Sequence, residues 1–283
     1  MTSDAARKPS RVRKPSVVSK PSVVATDLDG TIVRSDGNIS ARTRAALSAV
    51  EADGSIVVIV TGRPPRWLHG IADETGHRGV SICANGALVY DLHTEQVVAS
   101  YPLSVEIARN VVDALRAAMP GIGFAVETVT DGFGYEPAYR PRWPTEGATI
   151  GEIDELLSGP LAKLLARHED LDSDALLAAA REVVGAEVVT MTHSSRDGLL
   201  EISAVGVSKA TTLATLCADH GYGAEDTVAF GDMPNDLPML SWAGHSVAVA
   251  NAHPEVLALV DEVTASNDDD GVAQVLERWF GPS

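Results

Sequence analysis

Residues 23–31 read VVATDLDGT. A run of apolar, mostly β-branched residues ends in two aspartates one residue apart, followed by Gly30 and Thr31. The run has the composition of a buried strand. Bringing two carboxylates to the end of such a strand is costly unless a cation meets them there. Side chains alternate faces only while the strand lasts, so past its end Asp27 and Asp29 are free to converge on one site. The plain alternative is an ordinary strand closed by an Asp-rich turn.

Three further segments carry polar groups where an apolar run stops. Residues 56–63 read IVVIVTGR and end in Thr61-Gly62. Residues 205–213 read VGVSKATTL, with Lys209 at the start of an expected helix. Residues 227–240 read TVAFGDMPNDLPML, with Asp232, Asn235 and Asp236 after the strand. Singly, Thr61 is a turn former and the acids and Asn235 form a capped turn. Lys209 alone is a solvated first-turn residue that the helix dipole disfavours, a preference an adjacent anion reverses. Together these groups suit phosphoryl transfer. Mg²⁺ takes hard oxygen ligands and needs only one or two carboxylates besides phosphate and water. Asp27 and Asp232 are candidate ligands, with a backbone carbonyl near Asp29 as another. A carboxylate can also attack phosphorus, which suits Asp27. Asp29 can protonate the leaving oxygen and later take a proton from water. Thr61, Gly62, Lys209 and Asn235 would hold the phosphoryl oxygens.

The segments DLDGT, VTGR, GVSKATTL and GDMPND resemble the four motifs of the haloacid dehalogenase superfamily. Their order and spacing are most similar to its Cof-type phosphatases, the class with a large α/β cap between the second and third motifs (class IIB). CANGA at 83–87, NAHPEV at 251–256 and SNDDDGVA at 266–273 also resemble family segments. The likeness runs from about Ser22 to the C-terminus. It implies a Rossmann-like parallel-sheet core, an inserted cap, Mg²⁺ dependence and hydrolysis of small phosphorylated metabolites, sugar phosphates among them. It further implies that Asp27 is the nucleophile and Asp29 the acid/base. Thr61 and Lys209 match phosphate-binding positions, Asp232 the metal-ligand acid, Asn235 a phosphate contact and Asp236 an acid supporting the metal site. Family ATPases and phosphonate-cleaving members lack an acid at the position of Asp29, so its presence favours a phosphatase or a mutase.

The remaining sequence fits an α/β chain. Ser40 can cap a helix running to Glu51, with Gly54 ending it. A strand over 56–60, a helix after Pro64-Pro65 and a strand over 80–84 follow. Helices from Ser208, Pro234 and Pro254 alternate with strands at 227–230 and 246–249. Such alternation gives parallel strands with crossover helices and a site at the strands' C-terminal edge. Between Tyr90 and Arg196 the motifs stop. Helices near 105–119 and 174–184 alternate with strand-like runs at 123–126 and 187–190. The expected division is therefore a basic tail at 1–21, core at 22–89, cap at 90–196 and core again at 197–283. Within the cap, Glu127, Tyr135, Arg140 and Arg142 are candidate specificity residues. The alternative is that the aromatics pack the cap on the core and the arginines are solvated. Gly206 and the loop near Leu88 are candidate hinges for a cap that opens and closes.

Composition sets the outer limits. The chain has 283 residues, a net charge of −17 and a pI near 4.7, which argues against nucleic-acid binding by the folded body. Aromatics make up 5%, so the core rests on Val, Ala, Leu and Ile. Cys83 and Cys217 stand in apolar surroundings and read as buried free thiols. No run suits a membrane span or a signal peptide, so a cytoplasmic enzyme is expected; oligomeric state is not readable. Lys-Pro-Ser recurs at Lys8, Lys14 and Lys20. With its Pro and charge, the segment reads as a disordered tail, a dispensable extension or an upstream translation start, contact with nucleic acid, an acidic partner or the folded body itself being the alternative. A phosphatase on a small phosphorylated metabolite is the first reading of function. A phosphomutase or other phosphotransferase on the same fold is the second. A catalytically silent regulatory protein is the third, although such a chain should have lost one of Asp27, Asp29, Lys209 or Asp232.

Overall fold

The structure, a computed structural model, describes residues 19–130, 132–143 and 145–281. The expected tail thus lies outside the described residues except for its last three. Of these, Pro21 is buried and Lys20 pairs with Asp53 while lying 4.8 Å above the Phe280 ring. The folded body therefore begins slightly before Ser22.

Among the described residues the strands form two sheets. The first takes β1 (Val23–Thr26), β2 (Ile56–Val60), β3 (Val80–Cys83), β4 (Leu88–Asp91) and β5 (Gln96–Ser100). The second takes β6 (Gly123–Thr128), β7 (Phe133–Tyr135), β8 (Thr149–Ile150), β9 (Leu161–Arg167), β10 (Val189–Thr192) and β11 (Leu199–Ala204). The chain then returns to the first sheet with β12 (Thr227–Gly231), β13 (His245–Ala248) and β14 (Glu262–Val263). The first sheet runs in the order β14-β13-β12-β1-β2-β3-β4-β5 and the second β10-β11-β9-β6-β7-β8.

From β14 to β3 the first sheet is parallel. Every residue of β1 and β12 is buried, so both faces of the sheet are covered there. The cover comes from helices α1 (Ala41–Ala52), α2 (His69–Thr75), α6 (Lys209–Asp219), α7 (Leu237–Trp242), α8 (Pro254–Leu259) and α9 (Gly271–Phe280), counting α3 (Val105–Ala118), α4 (Ile153–Leu156) and α5 (Ser173–Val183) with the second sheet. As expected, the Ser40 side chain caps α1, accepting from Thr43 N, and Gly54 follows its end with a φ of 88°.

The parallel expectation fails at one edge. β3, β4 and β5 pair antiparallel, adding a hairpin to the core sheet beyond residue 90. On the other side, β11 pairs with β9 and β10, so the second body continues past residue 196. The crossings therefore lie near 101–102 and 205–208, not at 90 and 196. Leu88, proposed as part of a hinge, is buried in β4 between two neighbours, where a strand cannot swing. Gly206 does lie in a crossing, with a φ of 77° and no atom within 4 Å of the place a Cβ would take.

The second sheet has two unlike faces. Phe124, Val126, Leu164, Ala166, Leu200 and Ile202 form one apolar core with α3 and α5. In α3 the buried residues are Ala108, Val111, Val112 and Leu115, one stripe at helical spacing. The opposite face carries charges and looks toward the C-terminal edge of the first sheet. No helix among the described residues is long and apolar enough to cross a membrane. Neither Cys83 nor Cys217 forms a disulfide among the described residues, and both are buried.

Candidate active site

Three adjacent central strands, β12, β1 and β2, end in Asp232, Asp27 and Thr61, and the first turn of α6 brings Lys209 to the same edge. All four residues are at least 95% buried. Lys209 Nζ donates to Asp27 Oδ1 at 2.7 Å and to Asp236 Oδ1 at 2.6 Å. The helix dipole that would repel this lysine is outweighed by two carboxylates at contact. Burial works against its charge, but Asp236 and Asp27 hold it well above the ordinary lysine range. Ser208 anchors the helix start, its side chain and that of Thr211 each accepting the other's backbone N–H.

The acids differ in what they have left to give. Asp236 is fully engaged: Oδ1 takes Lys209, and Oδ2 accepts from the backbone N–H of Asp232 and Met233, each at 3.0 Å. It shapes the turn. Asp232 has only a hydroxyl donor, Thr31 Oγ1 at 2.9 Å. Its other oxygen faces Gly30, where a Cβ would come within 2.4 Å, so the close approach demands glycine at a φ of 74°. One oxygen each of Asp27, Asp232 and Asp236 lies within 4.8 Å of the others. Burial first, and the neighbouring carboxylates beyond what Lys209 offsets, push Asp27 well above the usual carboxylate range. Burial and Asp236 push Asp232 up to about 7. Three buried acids with one ammonium between them are short of positive charge, and a hard divalent cation fits that deficit.

Asp29 stands apart from this group. Its side chain is more than half exposed and takes a bidentate pair from Arg63, Nε to Oδ2 at 2.8 Å and Nη2 to Oδ1 at 2.5 Å. Arg63 thus takes both oxygens of the Asp29 carboxylate, and the expected metal contact here is the backbone carbonyl near Asp29 rather than its side chain. Thr61 Oγ1 accepts from Arg63 N at 3.1 Å, and Asn235 Nδ2 donates to Asn85 Oδ1 at 3.0 Å. Asn85 Nδ2 and Asn235 Oδ1 are buried without partners. Ala84 and Asn85 have φ of 50° and 57°, left-handed values that non-glycine residues take at a cost of about 1 kcal/mol each.

A cavity of about 260 Å³ opens over Asp27 and Asp29, walled on one side by Gly62 and Asn235 and on the other by the charged face of the second sheet. Of the four candidate specificity residues, Glu127 and Arg142 line it. Tyr135 does not: it packs 5.8 Å from Phe133 and 6.4 Å from Tyr139 in an aromatic cluster. Arg140 points to solvent and pairs with Glu169. Sequence reasoning missed Arg63, Asn85, Lys163, Arg167 and Glu201. For Lys163 and Glu201 a signal existed, a single charge within the apolar runs LAKLLA and LLEISA.

The bodies touch around this cavity. Lys163 Nζ donates to Gly62 O at 2.8 Å, Arg66 Nη2 to Glu127 Oε1 at 3.4 Å and Asn235 N to His193 O at 3.2 Å. Asp174 meets His193 at 2.8 Å and His253 at 3.2 Å.

The sequence profile of haloacid dehalogenase-like hydrolases matches residues 24–276. A 5-amino-6-(5-phospho-D-ribitylamino)uracil phosphatase of Bacillus subtilis strain 168 is 28% identical, over 90% of this chain and 96% of its own. A pyridoxal phosphate phosphatase of Escherichia coli K12 is 28% identical, over 89% of this chain and 96% of its own. A solved structure described as a subclass IIB sugar phosphatase of the same superfamily superposes with a TM-score of 0.74 at 20% identity, covering 91% of this chain and 98% of the other.

Proposed function

The chain belongs to the haloacid dehalogenase-like hydrolases, and from that premise we propose that it is a Mg²⁺-dependent phosphatase of small phosphorylated metabolites, working through an aspartyl-phosphate on Asp27. The observation that carries this reading is Asp27 itself, a buried strand-end carboxylate facing a cavity, held by Lys209 and flanked by Asp232. Relatives bearing phosphatase names over nearly their whole length support the reaction class.

In this reading an oxygen of Asp27 attacks phosphorus. The bond to the substrate oxygen breaks, and that oxygen takes a proton from Asp29. Asp29 then accepts a proton from water as the water's oxygen attacks the same phosphorus, releasing phosphate and restoring Asp27. Arg63 keeps the Asp29 carboxyl in place. Lys209, Thr61, Gly62 and Asn235, with the unpartnered Asn85 Nδ2, hold the phosphoryl oxygens. Asp27 and Asp232, with the Asp29 backbone carbonyl, would hold Mg²⁺, and Asp236 would orient them. When bound, the ion supplies the positive charge that the three acids lack and that the phosphoryl group requires. The second body, roughly 103–205, acts as the cap, and its contacts with Gly62, Arg66, Asn235 and His253 close the cavity against water. A cytoplasmic setting suits charged metabolites that do not cross membranes.

The test is phosphate release from a panel of phosphorylated metabolites, with Mg²⁺ and with EDTA. The wild type should release phosphate only with the metal. Asp27→Asn should lose at least about a thousandfold in kcat while keeping its fold by circular dichroism. Turnover by Asp27→Asn at a similar rate would refute the mechanism.

A further inference from the structure

Beside the cavity, one carboxylate joins the two bodies. Asp174 stands in the first turn of α5, in the second body. Its Oδ1 accepts from His193 Nε2 at 2.8 Å and its Oδ2 from His253 Nε2 at 3.2 Å. His193 follows β10 in the same body, whereas His253 caps α8 in the core. Both histidines are buried, and their rings stand edge to face with centroids 6.0 Å apart. The surroundings fix the ring protons. His253 Nδ1 accepts from Glu255 N, so its hydrogen sits on Nε2 and points at Asp174. His193 Nδ1 faces the Ser195 carbonyl at 2.9 Å, an acceptor only, so His193 donates there and at Nε2 alike. Asp174 therefore meets a donor at each oxygen. Burial opposes its charge, but the hydrogen bonds from His253 and His193 outweigh that and hold the carboxyl below its ordinary range.

The backbones of the same two histidines hold the turn after β12. His253 N donates to Asp232 O at 2.7 Å, and His193 O accepts from Asn235 N at 3.2 Å. The turn that carries Asp232 and Asn235 is thus gripped from the core by one histidine and from the second body by the other. Asp174 ties the two grips together. Its own side chain is 60% exposed, so as a surface pair it adds little to stability. What it fixes is the seat of one body on the other at this turn.

Resting on the phosphatase reading above, we propose that Asp174 is a positioning residue for phosphoryl transfer, which acts through His193 and His253 to seat the second body on the 232–236 turn. It does not line the cavity. Its effect reaches the reaction through where Asp232 and Asn235 stand when the cavity is closed, and small displacements of such groups cost rate. Asparagine of the same shape cannot replace it. An amide has one acceptor and one donor, so its NH2 group meets the N–H of one ring or the other whichever way it turns.

The experiment compares wild type with Asp174→Asn in two ways. Amide hydrogen exchange is followed by mass spectrometry across the 232–236 turn, without substrate, and kcat and KM are measured for p-nitrophenyl phosphate with Mg²⁺. The variant should unfold within about 4 °C of wild type, as loss of an exposed pair allows. Exchange of the Asn235 amide, tied to His193 O in wild type, should quicken by about tenfold, the worth of a hydrogen bond to a charged group. The value of kcat/KM should fall by about tenfold, with the loss carried by kcat. Unchanged exchange would overturn the proposal, because the turn would then not feel Asp174. Faster exchange with kcat unmoved would overturn it too, since a merely structural contact gives that result. Absence of phosphate release by the wild type would instead defeat the phosphatase reading, and the exchange measurement distinguishes the two failures.

Discussion

Asp236 accepts at both of its oxygens, from Lys209 and from two backbone amides, and is wholly buried. Removing it leaves Lys209 with one carboxylate and strips the turn of its anchor. Breaking a buried pair in this way costs about 3–5 kcal/mol. Asp236→Ala should therefore show that loss in denaturant unfolding of the metal-free protein, whereas Asp29→Ala, more than half exposed, should show little. Burial and the neighbouring Asp236 push the Asp232 carboxyl up to about 7. A raised carboxyl leaves stability intact below its unfolded value and removes it as pH climbs through the folded one. The metal-free protein thus loses stability at this site between about pH 4 and 7, and a cation that binds the ionised acids restores it. The rise in Tm on adding Mg²⁺ should be larger at about pH 8 than at about pH 5. A rise that is equal at both would show that these acids do not hold the ion. The sequence made these residues visible because acids at the end of an apolar run are costly and so stand out. Asn85 stood out less: its signal is the backbone, and nothing in CANGA declares two successive left-handed residues.

At the scale of elements, strand order decided what was legible. Strands 56–60 and 227–230 and the Ser40 cap were readable because each is a local pattern with local punctuation. The hairpin of β4 and β5 was not, because LVYD and QVVAS are short and the second is largely exposed, so neither gives a clear period. β11 is the mirror case, an apolar run whose sheet partner is set by the fold of the second body. The turn after β2 lies where the two bodies meet. A Cβ on Gly62 would stand 3.2 Å from Asn85 Oδ1 as well as 3.5 Å from Glu201 Oε1. Gly62→Ala should keep the Tm near wild type yet lower kcat/KM by about tenfold to a hundredfold, since a small displacement at a phosphate loop misaligns the reaction. Unchanged kinetics would mean that the cap does not press on this turn during turnover.

At the scale of the molecule, the site is made by two bodies that sequence separates. The core supplies its buried acids from two neighbouring strands, β1 and β12, with Thr61 after β2 beside them, and the second sheet supplies a charged wall from β6, β9 and β11. Charge along the chain gave no hint of this wall, because Lys163 and Glu201 lie 38 residues apart and face each other only in the folded sheet. Tyr135 and Arg140 went the other way for the same reason: their neighbourhood in sequence was right, but one belongs to an aromatic cluster and the other to the surface.

The central claim is that Asp27 receives the phosphoryl group. The direct measurement is an acid quench of the Mg²⁺-loaded enzyme during turnover of a phosphoryl-labelled ester, followed by peptide mapping. Label on the peptide carrying residues 23–31, at Asp27 and absent from Asp27→Asn, is the expected result. Steady phosphate release with no label on any aspartate would contradict the claim and point to direct attack by water.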